Sequence, residues 1–265
     1  MTGFNYIVAE TANGVRTITM NRPDKRNALS PELMEELGLA LHDAETCACG
    51  VVILTGAGPA FCSGLDMEHL ETTSARTVEE NRRDPENMAR VLRMLYDFPK
   101  PVIAAVNGPA IAGGMGLATI ADFTLAAPEA KFGYTEVRVG FVPAIVATFL
   151  VRQVGEKRAR DLLLTGRLIT AQEALQMGLV TQIVAADELM KTAHALAQSL
   201  LLNSPRAMRA VKRLLATHAK RRLDEEIADA IEVNAQQRST EDFKEGVQAF
   251  LHHRRADWPS QRAKV

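Results

Sequence analysis

Apolar positions along the chain fall into three patterns, and each predicts a different element. Val15-Arg16-Thr17-Ile18-Thr19-Met20 is rich in β-branched residues and stops at Asn21-Arg22-Pro23-Asp24, a turn-forming cluster, so it reads as a short strand. Val51-Val52-Ile53-Leu54 and Val102-Ile103-Ala104-Ala105-Val106 are unbroken apolar runs, each stopped by a glycine-containing turn, the pattern of strands covered on both faces. The third pattern is helical. Ser30 supplies an N-cap and Pro31 the first helical position; Leu33, Leu37, Leu41 and Ala44 then recur at helical spacing, with Glu35, Glu36 and Asp43 on the polar face. From about residue 155 helical signals dominate: a capping box at Thr170-Ala171-Gln172-Glu173, a helix start at Ser204-Pro205, and an uninterrupted stretch from Glu225 to Gln237. Val180-Thr181-Gln182-Ile183-Val184 is the last β run. Phe243, Val247, Phe250 and Leu251 define a C-terminal helical face that packs on its own core or on a partner. Residues 71–87 break the pattern, because Thr72, Thr73, Glu79, Glu80, Arg82, Arg83 and Asp84 predict a solvated loop or exposed helix, ahead of a mobile lid over a pocket.

Repetition of strand, glycine-rich turn and helix predicts a layered α/β architecture with ligand sites at the strand ends. A length of 265 residues fits one large domain, or one core with an appended segment. With 31 basic against 32 acidic side chains the formal net charge is −1, which disfavours nucleic acid and anionic lipid as partners. The N-terminus lacks the pattern of a signal or transit peptide, and no apolar run approaches the ~20 residues of a membrane span. Cys47, Cys49 and Cys62 form no paired zinc spacing. The expectation is therefore a cytoplasmic protein with free thiols, no metal and no membrane contact.

The two buried runs lead into loops that carry the candidate chemistry. One is Gly56-Ala57-Gly58-Pro59-Ala60-Phe61-Cys62-Ser63-Gly64-Leu65-Asp66; the other is Asn107-Gly108-Pro109-Ala110-Ile111-Ala112-Gly113-Gly114, after which Met115 to Ala121 has helical composition. Gly64-Leu65 and Gly113-Gly114 lie where backbone N–H groups lack intrahelical partners and where glycine lets a ligand reach the main chain. Two such turns aimed at one oxygen form an oxyanion hole, which stabilises an enolate or tetrahedral oxyanion by about 3 kcal/mol per donor. Taken alone, they read more simply as ordinary turn glycines. Glu136 stands within Phe132-Gly133-Tyr134-Thr135-Glu136-Val137-Arg138-Val139-Gly140-Phe141-Val142-Pro143, where burial would raise its carboxyl pKa toward the range useful for proton transfer. An ion pair with Arg138 is the plainer alternative. His42, His69, His194, His218, His252 and His253 read as surface or satisfied side chains, so histidine catalysis is not supported. Gly108 to Gly114 lacks the Lys-Ser/Thr of a P-loop, and no G-x-G-x-x-G follows a first strand.

Over almost its whole length the chain resembles the crotonase (enoyl-CoA hydratase/isomerase) superfamily. The resemblance rests on Met20-Asn21-Arg22-Pro23 with Asn27-Ala28-Leu29, on Ala60-Phe61-Cys62-Ser63-Gly64-Leu65-Asp66, and on Val106-Asn107-Gly108 with Ala112-Gly113-Gly114. It continues through Ala121-Asp122, Phe132-Gly133, Glu136, Gly140, Leu164-Thr165-Gly166, Ala174, Gly178-Leu179-Val180 and Phe243-Lys244-Glu245-Gly246. It implies an α/β fold, a spiral of ββα units around a CoA-thioester site, with a core over 1–195 and a C-terminal helical trimerisation region over 196–265. A homotrimer, or a homohexamer of two trimers, is the implied assembly. The resemblance places the oxyanion hole at the N–H groups of Leu65 and Gly113. It places CoA near Lys25, Arg26, Ala28 and the loop from Ser63 to Leu70, which includes Gly64 and Asp66, with Gly114 beside the hole and Phe243 or Lys244 contributing from a neighbouring subunit.

Departures from the family pattern narrow the chemistry. Hydratases resembling crotonase itself use two glutamates; the first position is Gly116 here and the second is Glu136. Branches that carry a functional aspartate at the position of Ala144 become poor fits. The resemblance implies an enzyme that holds an acyl-CoA thioester as an enolate, with coenzyme A as part of the substrate and no other cofactor. Hydration of a 2-enoyl-CoA, including a methylglutaconyl-CoA-like substrate, is the first expectation. Δ3,Δ2-enoyl-CoA isomerisation by Glu136 alone and non-catalytic acyl-CoA binding are the alternatives. Arg138 would pair with a neighbouring acidic residue in preference to a substrate carboxylate.

Overall fold

A computed structural model describes residues 3–262. Strands β1 (Ile7–Ala12) and β2 (Val15–Met20) form an antiparallel hairpin whose two turn residues, Asn13 and Gly14, both have positive φ, the geometry that tight hairpins require. After β2 come α1 (Pro31–Thr46), β3 (Val51–Gly56), α2 (Met67–Thr73), α3 (Arg83–Tyr96), β4 (Val102–Val106), β5 (Ala110–Ile111), α4 (Gly113–Ile120), β6 (Phe123–Ala126) and β7 (Lys131–Gly133). The remainder is α5 (Ala144–Thr165), β8 (Ile169–Thr170), α6 (Ala171–Gln176), β9 (Gln182–Ile183), α7 (Leu189–Leu201), α8 (Pro205–Gln237), α9 (Glu241–Leu251) and α10 (Pro259–Arg262). Among the described residues the main sheet runs β1-β2-β3-β4-β6-β9, parallel beyond the hairpin, and a small second sheet runs β5-β7-β8.

Every residue of β3 and of β4 is buried, as the two unbroken apolar runs predict. Alternation divides their side chains between two layers. Val52, Leu54, Val102, Ala104 and Val106 join the large core under α1, α3 and α4, whereas Val51, Ile53, Ile103 and Ala105 pack with Leu189, Ala193 and Ala197 of α7. Each such burial of a Val, Leu or Ile contributes about 1.5–3 kcal/mol. The helix starts also sit where local chemistry puts them. Ser30, Thr170 and Ser204 accept hydrogen bonds from the N–H groups of Leu33, Glu173 and Ala207, which fixes the starts of α1, α6 and α8.

Residues 71–87 are mostly exposed, as their polarity predicts, with Thr73, Asn81 and Pro85 buried among them. Thr73 and Asn81 are fully buried, and Asn81 Nδ2 donates to the Thr73 carbonyl at 3.1 Å, while Asn81 Oδ1 has no partner among the described residues. At the other end, α8 packs along α5 and α3, and α9 folds back onto α2 and the turn after β7. Among the described residues no helix is long and apolar enough to cross a membrane.

Candidate active site

The two glycine loops are sewn together by their backbones. Cys62 N–H donates to Pro109 O at 3.1 Å, Ile111 N–H to Cys62 O at 2.9 Å and Ala112 N–H to Gly133 O at 2.8 Å. Contact between the loops is close enough to need glycine: at Gly64, with φ +90°, a Cβ would lie 2.8 Å from the Ala112 Cβ. Ala112 itself has φ +52° and ψ −123°, a strained conformation for a residue with a side chain, and it turns the chain into α4 with Gly113 first. Leu29 N–H donates to Gly64 O and Asp66 N–H to Leu29 O, which clamps the residues on either side of Leu65. The N–H groups of Leu65 and Gly113 donate to no acceptor among the described residues. Leu65 lines a cavity of about 390 Å³ whose wall also includes Ala112, Thr135 and Glu136, and Gly113 directly follows Ala112.

Glu136 begins a 3-10 turn, Glu136–Val139, that follows β7. Its side chain is buried, and Oε2 has no hydrogen-bond partner among the described residues. Burial pushes its carboxyl up to about 8, and a hydrogen bond from its own backbone offsets only part of that rise. The expected ion pair does not form: Arg138 is exposed and pairs with no carboxylate among the described residues. In a turn with three residues per rotation, side chains two apart leave in different directions, which separates Glu136 from Arg138.

A set of predicted ligand residues shares this cavity wall: Lys25, Arg26, Ala28, Ser63, Asp66 and Leu70. Lys25 Nζ lies 2.6 Å from Glu68 Oε1 at the mouth, an exposed pair. Asp66 is engaged within the fold, since it caps α2 by accepting from Glu68 N–H at 3.1 Å and pairs with Arg22 at 3.1 Å. Gly114 lies against Cys62, where a Cβ would fall 2.4 Å from the carbonyl oxygen, and Gly116 lies against Val146, where a Cβ would fall 2.6 Å from Cγ1, with Leu92 beyond. The Gly116 position is thus a sealed apolar contact.

Phe243 and Lys244 are not on the cavity wall of their own chain. Phe243 is fully buried with Leu70, Phe141 and Val247, and Lys244 pairs with Glu241 at 2.8 Å. Phe250 and Leu251 of α9 are the C-terminal residues that do reach the cavity. Sequence reading placed both on an apolar helical face without locating that face. Ile111, Ala112 and Phe141 also line the site, and their only signal was position inside the glycine loop and the Glu136 segment. A larger groove of about 880 Å³ lies between α5 and α8 and contains neither Glu136 nor the glycine turns.

Comparison with known proteins agrees with this geometry. The family model described as enoyl-CoA hydratase/isomerase matches residues 10–261. A Thermus thermophilus protein bearing an enoyl-CoA hydratase name is 44% identical over 241 residues, covering 91% of this chain and 95% of the relative. The short-chain-enoyl-CoA hydratase of Clostridium acetobutylicum is 35% identical over 96% of this chain and 97% of its own. The crystal structure of an enoyl-CoA hydratase/isomerase from Xanthobacter autotrophicus superposes with a TM-score of 0.87 at 30% identity, over 95% of this chain and 97% of that one. Fold, loop geometry and relatives agree, and the chain belongs to the enoyl-CoA hydratase/isomerase enzymes of the crotonase superfamily.

Proposed function

We propose that this enzyme adds water across the double bond of a 2-enoyl-CoA thioester. The observation that carries the reading is that Glu136, a buried carboxylate whose Oε2 has no partner among the described residues, lines the same cavity as Leu65, with Gly113 directly following the wall residue Ala112. The thioester oxygen accepts from Leu65 and Gly113 N–H, which draws electron density away from the β-carbon. Ionised Glu136 takes a proton from water as the hydroxide oxygen bonds to that carbon. The π electrons move into an enolate held by the two N–H groups. Glu136 then returns the proton to the α-carbon, so one C–O and one C–H bond form, the C=C bond is lost and the carboxylate is regenerated. A single group serves both proton steps because Gly116 offers no side chain and Val146 fills the space beside it. The names of the Thermus and Clostridium relatives support hydration as the direction of the chemistry.

The apolar contact at Gly116 also favours a second reading, in which Glu136 takes a proton from the α-carbon of a 3-enoyl-CoA and returns it to the γ-carbon. Crotonyl-CoA, a 3-enoyl-CoA and 3-methylglutaconyl-CoA assayed side by side separate the possibilities. Loss of enoyl-thioester absorbance with crotonyl-CoA or 3-methylglutaconyl-CoA supports hydration. Its appearance with the 3-enoyl ester alone supports isomerisation. Tight binding without turnover of any supports a pure binder.

Assembly into a trimer or hexamer is part of the same proposal. Val211, Leu214 and Leu215 of α8 are more than half exposed, and Val151 and Val233 line the groove between α5 and α8. Apolar side chains grouped this way suit a subunit contact.

A further inference from the structure

We infer that Asp84 is a positioning residue of this active site, tying the α2 wall beside the Leu65 donor to the end of α8 that lies under the Glu136 turn. This inference rests on the acid/base reading of Glu136 given above. Asp84 is not on the cavity wall, so whatever it does, it does through other residues.

Its Oδ2 receives contacts from three directions: His69 Nε2 at 2.6 Å, Arg238 Nη1 at 3.0 Å and Arg76 Nη1 at 3.9 Å. His69 belongs to α2, the helix that Asp66 caps directly after Leu65. Arg238 stands just beyond α8 with its side chain 2% exposed. Its Nε donates to Asn234 Oδ1 at 3.2 Å, and its guanidinium carbon lies 5.3 Å from the centre of the Phe141 ring. Phe141 N–H donates to the Glu136 carbonyl at 3.0 Å, and the Phe141 ring packs on Phe243 with centres 5.2 Å apart. The neighbouring Gln237 Nε2 donates to Gly140 O at 2.9 Å, so the end of α8 holds this turn at two places.

Electrostatics makes the arrangement rigid. A guanidinium buried this deeply needs a fixed anion, and among the described residues Asp84 is the carboxylate in reach. Burial alone raises the Asp84 carboxyl, but the hydrogen bond from His69 and the charge of Arg238 outweigh it, so the group titrates below its ordinary value and stays ionised. Without that anion Arg238 must turn toward water, and the ring beneath Glu136 loses its flat support. The distance between the proton-transfer group and the two N–H donors then becomes poorly defined, which costs catalysis far more than it costs binding.

Asp84→Asn in the full chain, assayed for turnover of crotonyl-CoA and for binding of acetyl-CoA as a non-turning thioester, tests this. We expect kcat to fall at least tenfold while acetyl-CoA affinity stays within threefold, and Asp84→Glu to recover part of the loss. A folded Asp84→Asn enzyme with wild-type kcat overturns the inference, as does an equal loss of kcat and affinity. If Asp84→Asn does not fold, Arg238→Lys takes its place. It keeps the charge but not the planar stack on Phe141, and unchanged kcat there is equally decisive against the idea. Glu136→Gln run alongside separates the two readings. An active Glu136→Gln overturns the assigned chemistry, whereas an inactive one beside a fully active Asp84→Asn overturns only the role of Asp84.

Discussion

Gly246 of α9 meets Val139 backbone to backbone: a Cβ on Gly246 would lie 2.3 Å from both the carbonyl carbon and the carbonyl oxygen of Val139. No side chain fits there, so α9 rests directly on the turn that begins with Glu136. Gly246→Ala must push helix and turn apart, at about 1–3 kcal/mol of stability. Turnover should fall roughly tenfold with it. Chemical denaturation and steady-state kinetics on one preparation check both, and wild-type values in each would mean that the helix gives way without disturbing the turn.

Glu136→Gln should reduce kcat by about three orders of magnitude or more, since it removes the proton carrier, while affinity for a CoA thioester changes little. Single-turnover rates alongside a binding titration measure the two separately. In the wild type, kcat/KM should rise with pH up to about 8, where the carboxyl of the empty enzyme ionises. A flat profile between pH 6 and 9 would argue that a different group limits the reaction.

The same carboxyl sets a stability signature of defined sign. Its value lies near 8 in the folded chain against an ordinary 4.5, so between those limits the native state holds a proton that the unfolded state has released. Stability contributed at this position therefore declines as pH rises through that window, is uncompromised below it and fully penalised above it. Glu136→Gln removes the penalty. The variant should match wild type near pH 4 and be more stable near pH 9, by on the order of a few kcal/mol at ~1.4 kcal/mol per unit. Thermal melts at the two pH values decide it.

Gly116→Ala should destabilise the enzyme by about 1–3 kcal/mol, because its new methyl meets Val146 Cγ1 at 2.6 Å. Val146→Ala in the same chain should restore most of that loss. The pair is close enough to couple, so the two changes should depart from additivity by more than about 0.5 kcal/mol. Additive effects in urea titrations would show that the contact relaxes on its own.

Local rules made much of the frame legible. Ser30, Thr170 and Ser204 announce helix starts through chemistry that spans only a few residues, and the fully buried β3 and β4 are visible as unbroken apolar runs. Glu136 stood out because a carboxylate among apolar neighbours is expensive unless it has a use. Long-range pairing left no such trace. Asp84 and Arg238 are 154 positions apart, and their segments look like ordinary solvated polar stretches until the fold closes one on the other. Arg138 is opaque for a related reason, since proximity in sequence to Glu136 says nothing of direction around a tight turn.

The two free N–H groups follow β3 and β4, strands buried on both faces near the middle of the main sheet. Segments of that kind open only when the whole molecule does. Glu136 instead rides on a four-residue turn pinned from outside by α9 and by the end of α8. The two halves of the site consequently have different lifetimes. In hydrogen exchange the strands beneath Leu65 and Gly113 should be among the slowest amides of the chain, and the Glu136–Val139 turn and α9 among the first to open, so the enzyme loses its acid/base group long before it loses its grip on the thioester oxygen.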